Sequence, residues 1–398
     1  MTQISTATTL KLAETYEQYD SNLNLYASIR GVPPGLVVRL DLLTQSGIPG
    51  EVLVEAIRKA GPEKGPFTPG WVETLMEYGQ VALDKGDEQL KKSDREKARQ
   101  EFLKASVWFF FARFPHIFSS QAGEAYKKHI ASYQKALKYS AYKMEEISIP
   151  FEGKSIPAYL RMPKTTTTPP LVILCGGTDV WKSDLEIHLQ SEAFLEQGIA
   201  TLTIDHPGTG ECPVFSIPQE EKYFLAVLKH MKGLSQIDAS RMAFYGLSFG
   251  GKWGIKLSLM APELKASVNI GGPAHYSFAP DWILKFPLPL KKTLGLIVGV
   301  DPDKEAALFS EALLQRSVER KQELVSTGGQ KVPLLCINGE NDEVVPIEEF
   351  DFLKGMGMKI DTVVFSNDRH VATLNATLRD AFVTQWVAKK LGILPVIA

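Results

Sequence analysis

One serine in this sequence stands where a catalytic nucleophile is expected. The motif G-x-S-x-G runs from Gly246 to Gly250 around Ser248. It follows a run typical of a buried strand and precedes a run typical of a helix. A strand that turns at once into a helix projects the serine Oγ above the sheet and points the next backbone N–H at the same spot. The context predicts that Ser248 is a nucleophile and that the Phe249 amide belongs to an oxyanion hole.

A serine nucleophile needs a base to take its proton and an acid to orient that base. The stretch "VPLLCINGENDEVVP" contains a predicted strand that ends at Gly339, with Asp342 just beyond it. The stretch "TVVFSNDRHVAT" places His370 after the last predicted strand. We therefore predict a Ser248, Asp342 and His370 triad. Glu340 and Asp368 are neighbours that could replace Asp342 as the orienting acid, but the spacing after Gly339 favours Asp342.

An oxyanion hole also needs a second backbone donor, supplied from the loop after an early strand. The loop "LCGGTDVWKSD" fits because glycine lets the main chain approach a ligand closely. The amide of Gly177 or of Thr178 is predicted to act beside that of Phe249. Asp179, in the same loop, either binds a substrate hydroxyl or hydrogen-bonds the backbone of its own loop.

Further candidates for substrate contact follow the fourth parallel strand. His275 lies in "GGPAHYSF" just past the strand end, where a ligand could reach it. Tyr276 and Trp282 come soon after, and their rings would suit a flat conjugated substrate. The other aromatic segment, "SVWFFFARF", either packs as a helix on its neighbours or lines a substrate cavity.

Two structural units are expected in 398 residues, because single cores stop growing at roughly 250 to 300 residues. Apolar residues before residue 145 recur at helical spacing, and one helix is predicted to end at Lys85-Gly86-Asp87. After residue 145, predicted strands alternate with predicted helices. This alternation predicts an α/β class with a mostly parallel sheet covered by helices on both faces. We expect a helical N-terminal lid or dimerisation domain at 1–145 and a catalytic domain at 146–398. A helical insertion at about 273–329 is expected to act as a cap.

The composition favours a small-molecule partner. The chain has 44 Lys and Arg against 46 Asp and Glu, so it lacks the excess of positive charge that is typical of proteins that bind nucleic acid or an anionic membrane. The first 20 residues lack a basic start followed by an apolar run, so a cytoplasmic location is expected. Three cysteines, Cys175, Cys212 and Cys336, lack metal-ligand spacing and are predicted to be reduced thiols, with no metal site.

Five motifs together resemble a known family: "YGLSFGG", "CGGTD", "DHPGTGE", "GENDEVVP" and "NDRHVA". They are similar to those of α/β-hydrolases related to the fermentation-respiration switch esterases. Within that group the chain looks most like 2,6-dihydropseudooxynicotine hydrolase and the polyketide-shortening hydrolases of melanin pathways. The resemblance implies the α/β-hydrolase fold, a triad at Ser248, Asp342 and His370, and no cofactor. It also implies hydrolysis of a carbon–carbon bond beside a ketone, in secondary metabolism, often by a homodimer.

Other functions stay open at this point. An ester or lactone would use the same machinery with an easier leaving group, and relatives of this type include ring-closing enzymes of secondary metabolism. A non-catalytic binding or regulatory role is a further alternative. Three triad members in the correct order count against that alternative, and a serine-directed fluorophosphonate probe would separate it from catalysis.

Overall fold

The computed structural model describes residues 9–12, 44–61, 68–165, 167–215, 220–321 and 329–393. The chain divides into two compact units. The sheet unit comprises Met1–Glu14, Glu145–Lys182 and Leu189–Ala398, and the helical unit comprises Thr15–Met144 and Ser183–His188. Two segments are assigned differently from the division expected at residue 145: Thr9–Leu12 adds a strand to the sheet, and Ser183–His188 belongs to the helical unit.

The sheet has nine strands within the described residues, in the order β1-β9-β8-β7-β6-β4-β5-β3-β2. The strands are β1 (Thr9–Leu12), β2 (Lys143–Phe151), β3 (Lys154–Met162), β4 (Leu171–Cys175), β5 (Ala200–Ile204), β6 (Met242–Leu247), β7 (Leu264–Ile270), β8 (Leu334–Gly339) and β9 (Ile360–Phe365). Every neighbouring pair from β1 to β5 in that order is parallel, whereas β3 runs antiparallel to β5. The prediction of an α/β class with a mostly parallel sheet is confirmed.

The central strands are buried on both faces. Every residue of β4, β5, β6, β8 and β9 is buried, as expected of parallel strands covered by helices on both sides. The helices that follow in the chain are α5 (Leu185–Glu196), α6 (Glu221–Lys232), α7 (Gly251–Met260), α11 (Glu348–Gly355) and α12 (Ala376–Lys390). The carboxyl ends of the parallel strands therefore meet at one edge, where ligands bind in open sheets of this kind.

The segment between β7 and β8 is the predicted helical insertion. It contains α8 (Pro280–Ile283), α9 (Leu288–Val298) and α10 (Ala306–Leu314), with short 3-10 turns at Tyr276–Phe278 and Val318–Lys321. Its apolar residues form one core cluster that includes Phe249, directly after the predicted nucleophile. The insertion is thus packed on the turn that carries Ser248.

The helical unit contains α1 (Gly50–Ala60), α2 (Pro69–Lys91), α3 (Arg95–Arg113) and α4 (Ser120–Leu137). The expected helix end at Lys85-Gly86-Asp87 is wrong, because α2 continues through Gly86 to Lys91. Gly86 does not cap the helix: a Cβ there would collide with the Phe102 ring of α3. The turn comes instead at Ser93, with a φ of 62°, and the Asp94 side chain caps α3 by accepting from Lys97 N at 3.1 Å.

The aromatic residues Trp108, Phe109 and Phe110 lie on α3 and are at most 4 % exposed. A Cβ at Gly79 of α2 would come within 2.5 Å of the Phe109 ring, so glycine lets the two helices approach closely. Within the helical unit, the segment is therefore a helix packed on its neighbours. No helix in the described part of the chain is both long enough and apolar enough to cross a membrane.

Candidate active site

The turn at Ser248 has the strained geometry of a nucleophile elbow. Strand β6 ends at Leu247, Ser248 has a φ of 53°, and a 3-10 turn at Ser248–Gly250 leads directly into α7. A positive φ is costly for a residue with a side chain, and such strain is concentrated at functional sites. The glycines allow the turn to close, since a Cβ at Gly250 would lie 2.6 Å from the Cys175 carbonyl oxygen.

Ser248, His370 and Asp342 form a continuous chain of hydrogen bonds. Ser248 Oγ is 2.8 Å from His370 Nε2, and His370 Nδ1 is 2.7 Å from Asp342 Oδ2. The Asp342 side chain is fully buried, whereas the His370 side chain is 23 % exposed. The two ring nitrogens thus face a hydroxyl on one side and a carboxylate on the other, which is the arrangement that a proton relay from serine requires.

The Asp342 carboxylate is oriented by its surroundings. Its Oδ1 accepts from the backbone N–H groups of Val344, at 2.7 Å, and Val345, at 3.0 Å. Its Oδ2 accepts from Asn338 Nδ2 at 2.8 Å, and the Oδ1 of that asparagine accepts from Val371 N at 3.0 Å. Asn338 therefore joins the acid loop to the histidine loop. Sequence reasoning missed Asn338, although an asparagine near the end of the buried strand "LLCING" was a usable signal.

The alternative acids have other positions. Asp368 is fully buried and holds the loop that carries His370: its Oδ1 accepts from Leu374 N at 3.1 Å and its Oδ2 accepts from Asn375 Nδ2 at 2.7 Å. Glu340 is exposed, and its backbone N–H donates to the Phe365 carbonyl at 2.9 Å. Asp342 has the hydrogen bond to the His370 ring.

The predicted oxyanion loop lies against the serine. A Cβ on Gly177 would lie 2.8 Å from Ser248 Cβ and 3.1 Å from Ser248 Oγ, so only glycine lets the chain pass this close to the serine. Thr178 is 6 % exposed, and its carbonyl accepts from Trp181 Nε1 at 3.1 Å. Phe249 is 5 % exposed and follows Ser248 in the 3-10 turn. Gly177 thus lies against Ser248 in space and Phe249 follows it in sequence, and the oxyanion role of Gly177, Thr178 and Phe249 stays a prediction.

A buried ion pair fixes this loop to the turn "DHPGTGE". Lys182 Nζ is 2.7 Å from Asp205 Oδ2, and Lys182 N donates to Asp205 Oδ1 at 2.8 Å. Burial opposes the charge of Lys182, but the neighbouring carboxylates of Asp205 and Glu211 outweigh that effect and raise the pKa of the lysine. The turn therefore anchors the loop that contains Gly177 and Lys182.

The four predicted substrate contacts have different surroundings. His275 stacks on the Phe352 ring at 4.4 Å, and its Nδ1 is 2.9 Å from Ser317 Oγ. Tyr276 is 42 % exposed, and Trp282 Nε1 donates to the Val344 carbonyl at 2.9 Å, beside the acid loop. Asp179 is partly exposed in the oxyanion loop. Substrate contact by these four residues stays a prediction.

No group of three or more His, Cys, Asp or Glu side chains that could hold a metal ion occurs within the residues the structure describes. The three cysteines are free thiols, and burial raises the pKa of both Cys212 and Cys336 to about 12. Neither thiol is therefore activated as a nucleophile near neutral pH.

Comparison with known proteins places the chain in a family. A model of the FrsA-like esterases, described as "Esterase FrsA-like", matches residues 61–391. The chain is 26 % identical over 283 residues to Esterase FrsA of Photobacterium profundum, covering 70 % of this chain and 67 % of that protein. It is 28 % identical over 296 residues to Esterase FrsA of Yersinia pestis, covering 73 % and 68 % respectively.

Two solved structures share the fold across both parts of the chain. The crystal structure of 2,6-dihydroxy-pseudo-oxynicotine hydrolase has a TM-score of 0.75 and 22 % identity, over 89 % of this chain and 95 % of that one. Wild-type AbyA5 has a TM-score of 0.72 and 18 % identity, over 90 % and 95 %. The family predicted from the motifs is confirmed: the chain belongs to the FrsA-like esterases and is a hydrolase of the α/β-hydrolase superfamily.

Proposed function

We propose that this protein is a serine hydrolase in which Ser248 is the nucleophile, His370 the general base and Asp342 the residue that orients the histidine. The observation that carries the proposal is the continuous pair of hydrogen bonds from Ser248 Oγ to His370, at 2.8 Å, and from His370 to Asp342, at 2.7 Å. Because Asp342 Oδ1 accepts two backbone N–H groups, its other oxygen is held toward His370 Nδ1.

Acylation begins when His370 Nε2 takes the proton of Ser248 and Oγ bonds to the substrate carbonyl carbon. The carbonyl oxygen becomes an oxyanion, stabilised by the amides of Phe249 and of Gly177 or Thr178. Collapse of this intermediate re-forms the carbonyl and breaks the bond to the leaving group. The protonated His370 then returns its proton to the leaving atom, so the first product departs neutral.

Deacylation reverses these roles with water. His370 takes a proton from water, and the water oxygen bonds to the acyl carbon. The second oxyanion collapses with cleavage of the bond to Ser248 Oγ, which recovers its proton from His370. The second product is a carboxylic acid that contains one oxygen atom from water.

The substrate class that we propose is an aromatic or polyketide-like β-diketone, cleaved between its carbonyl groups. A carbon leaving group can depart only if its electron pair is delocalised, and the second carbonyl provides this as an enolate. Support comes from the resemblance of the motifs to hydrolases that cut carbon–carbon bonds beside ketones. A carboxylic ester is the second candidate, because the relatives that are 26 % and 28 % identical are named esterases.

The insertion at about 273–329 is proposed to form a wall of this site. Its support is that the Phe278 ring meets the Phe249 ring edge-on at 6.3 Å and that Trp282 donates to the Val344 carbonyl beside Asp342. A covering wall excludes water until the acyl-enzyme has formed. The lid role of residues 1–145 stays a prediction.

Labelling with a fluorophosphonate probe tests the nucleophile. The wild-type protein is expected to be labelled and Ser248→Ala is expected to be unlabelled, because the probe reacts only with an activated serine. Absence of labelling in the wild type would favour a non-catalytic binding or regulatory role instead.

Mass spectrometry in heavy-oxygen water tests the reaction. An aromatic β-diketone is expected to be cleaved with a higher kcat/KM than a nitrophenyl ester and to release a carboxylic acid with one heavy oxygen atom. If the protein turns over esters efficiently and does not cleave the β-diketone, the second candidate function, hydrolysis of a carboxylic ester, is favoured. A product with the mass of the substrate, or smaller by one water and unlabelled, would indicate ring closure and exclude the hydrolytic mechanism.

A further inference from the structure

A lysine lies buried directly behind the nucleophile elbow. Lys252 is fully buried, one helical turn after Ser248, and its Nζ lies 3.9 Å from the centroid of the Phe249 ring. The ammonium group is thus within cation–π distance of the ring of the residue whose backbone amide is proposed for the oxyanion hole. Lys252 is not one of the residues of the proposed proton relay.

One buried carboxylate connects Lys252 to the insertion. Glu220 Oε2 is 3.1 Å from Lys252 Nζ, and Glu220 Oε1 is 3.4 Å from Arg316 Nε. Glu220 and Arg316 are each 3 % exposed. Since Arg316 follows α10, the ion pairs join the insertion to the helix that begins at the elbow.

The other titratable groups around Lys252 are a histidine, a thiol and a second lysine that is paired with a carboxylate. His206 contacts the Phe249 ring at 4.9 Å, and burial lowers its pKa well below the usual value, so it is neutral at physiological pH. Burial likewise raises the pKa of the Cys175 thiol. Lys256, one turn further along α7, is 3.7 Å from the Glu221 carboxylate. The surroundings therefore contain a second lysine and an arginine as well as carboxylates.

We propose that Lys252 is a positioning residue for the reaction of Ser248: its buried ammonium group holds the Phe249 ring, and thereby the Phe249 amide, at the oxyanion site. This inference rests on the proposed serine-hydrolase function. It assigns a role to a buried cation that the proton relay does not use.

Burying the Lys252 charge has a free-energy cost. Removal from water disfavours the cation more than Glu220 favours it, so the pKa of Lys252 is lowered to about 7. The ion pair of Lys252 with Glu220 therefore adds little net stability to the fold, because removing both charges from water offsets their attraction. An oxyanion donor, in contrast, must lie about 2.7–3.1 Å from the developing charge, so small movements of the Phe249 backbone reduce the rate.

Steady-state kinetics on a nitrophenyl ester tests the proposal. Lys252→Met is expected to lower kcat about 10- to 100-fold with little change in KM, because an oxyanion donor acts in the transition state. Lys252→Arg keeps the cation and is expected to recover most of the lost rate. The matched control is Lys256→Met, which removes a buried lysine of the same helix, 5.0 Å from the Trp253 ring. We expect its kcat to stay near that of the wild type.

A double-mutant cycle tests the route through the ring. Phe249→Leu removes the ring and keeps the backbone amide. If Lys252 acts through that ring, Lys252→Met combined with Phe249→Leu will lose no more rate than the more damaging single variant. Independent losses that multiply would overturn the proposal.

The pH profile of kcat gives a readout that does not depend on the methionine variant folding. Wild-type kcat is expected to fall on the alkaline side as Lys252 loses its proton, whereas Lys252→Arg should retain activity to higher pH because arginine stays charged. If the kcat profiles of the wild type and Lys252→Arg fall together at alkaline pH, the inference is wrong. It is also wrong if folded Lys252→Met keeps the wild-type kcat, or if Lys256→Met loses as much kcat as Lys252→Met. These outcomes are distinct from a wild type that neither reacts with fluorophosphonate nor hydrolyses the ester, which would contradict the proposed function itself.

Discussion

Among the residues that the structure describes, a cluster of serine, histidine and aspartate occurs in each of the two units. In the sheet unit, Ser248, His370 and Asp342 form the proposed catalytic relay. In the helical unit, a cluster of the same residue types surrounds His129, which lies on α4. The residue types are the same, so the difference between the clusters must come from their geometry and exposure.

The His129 cluster consists of Ser106, Arg113, His129, Ser183 and Asp184. One ring nitrogen, Nε2, faces both Ser183 Oγ, at 2.8 Å, and Asp184 Oδ1, at 3.0 Å. The other nitrogen is 2.9 Å from Ser106 Oγ, and Arg113 forms an ion pair with Asp184. Hydroxyl groups thus lie on both sides of the imidazole, and on the Nε2 side the Ser183 hydroxyl lies beside the Asp184 carboxylate. The ring does not lie between Ser183 and Asp184 as the His370 ring lies between Ser248 and Asp342.

Exposure separates the clusters further. The His129 side chain is 1 % exposed and that of His370 is 23 % exposed. Ser248 is held at a positive φ in a turn, where its hydroxyl projects from the sheet edge. The same residue types therefore build a buried structural network in one unit, and a candidate active site with a strained, accessible hydroxyl in the other.

The largest effect that distinguishes the clusters is on turnover. Ser248→Ala and His370→Ala are each expected to lower kcat/KM on a nitrophenyl ester about 10³-fold or more, because triad members act as a unit. Ser183→Ala is the matched control, and the folded protein should keep a rate near that of the wild type. Near-normal activity in Ser248→Ala would refute the serine mechanism.

Asparagine substitutions at the two aspartates should affect different properties: Asp184→Asn mainly the stability of the fold, and Asp342→Asn mainly the rate of the reaction. Asp184→Asn removes the carboxylate charge that is paired with the buried guanidinium of Arg113, so we expect the free energy of unfolding to fall by about 3–5 kcal/mol. Asp342→Asn is expected to lower the rate somewhat less than Ser248→Ala does, because an amide would orient the His370 ring poorly. Denaturant titration and ester kinetics on both variants measure the contrast, and equal losses of stability would contradict it.

Removal of the link between the acid and histidine loops should have an intermediate effect. Asn338→Leu is expected to reduce the free energy of unfolding by about 1–3 kcal/mol, because Val371 N and the Val345 carbonyl lose their buried partner. Turnover should also fall, since Asp342 loses its donor to Oδ2. A variant with unchanged stability and rate would show that Asn338 does not hold the two loops.

A pH dependence of stability is also expected from Lys252. Its pKa is lowered from 10.5 to about 7 in the folded protein. Between these values the unfolded chain binds more protons at this site than the folded chain does, so this group makes the free energy of unfolding rise with pH. Lys252→Met should remove that contribution, which denaturant titrations from about pH 7 to 9 would measure against the wild type. Identical pH slopes would contradict the shift.

Local patterns predicted most of the sheet unit. The runs that form β4 to β9 are apolar and interrupted by glycine turns, and their alternation with helices requires a parallel sheet. Glycine positions were harder to interpret. Gly86 is typical of a helix end in the sequence, but it lies inside α2, where the Phe102 ring of α3 occupies the space that a Cβ would need. The strand Thr9–Leu12 was missed because its pairing with β9 joins segments at opposite ends of the chain.

The sequence by itself determined the family, the order of the strands along the chain and the candidate nucleophile, because each of these depends on residue types at short spacing. The spacing after Gly339 favours Asp342 over Glu340 and Asp368 as the orienting acid, but only the tertiary structure shows the hydrogen bond between Asp342 Oδ2 and His370 Nδ1, because the two loops are distant in sequence. The partners of Lys252 were also decided there. Its ion pair with Glu220 joins helices separated by a strand, and local patterns carry no information about contacts of that range.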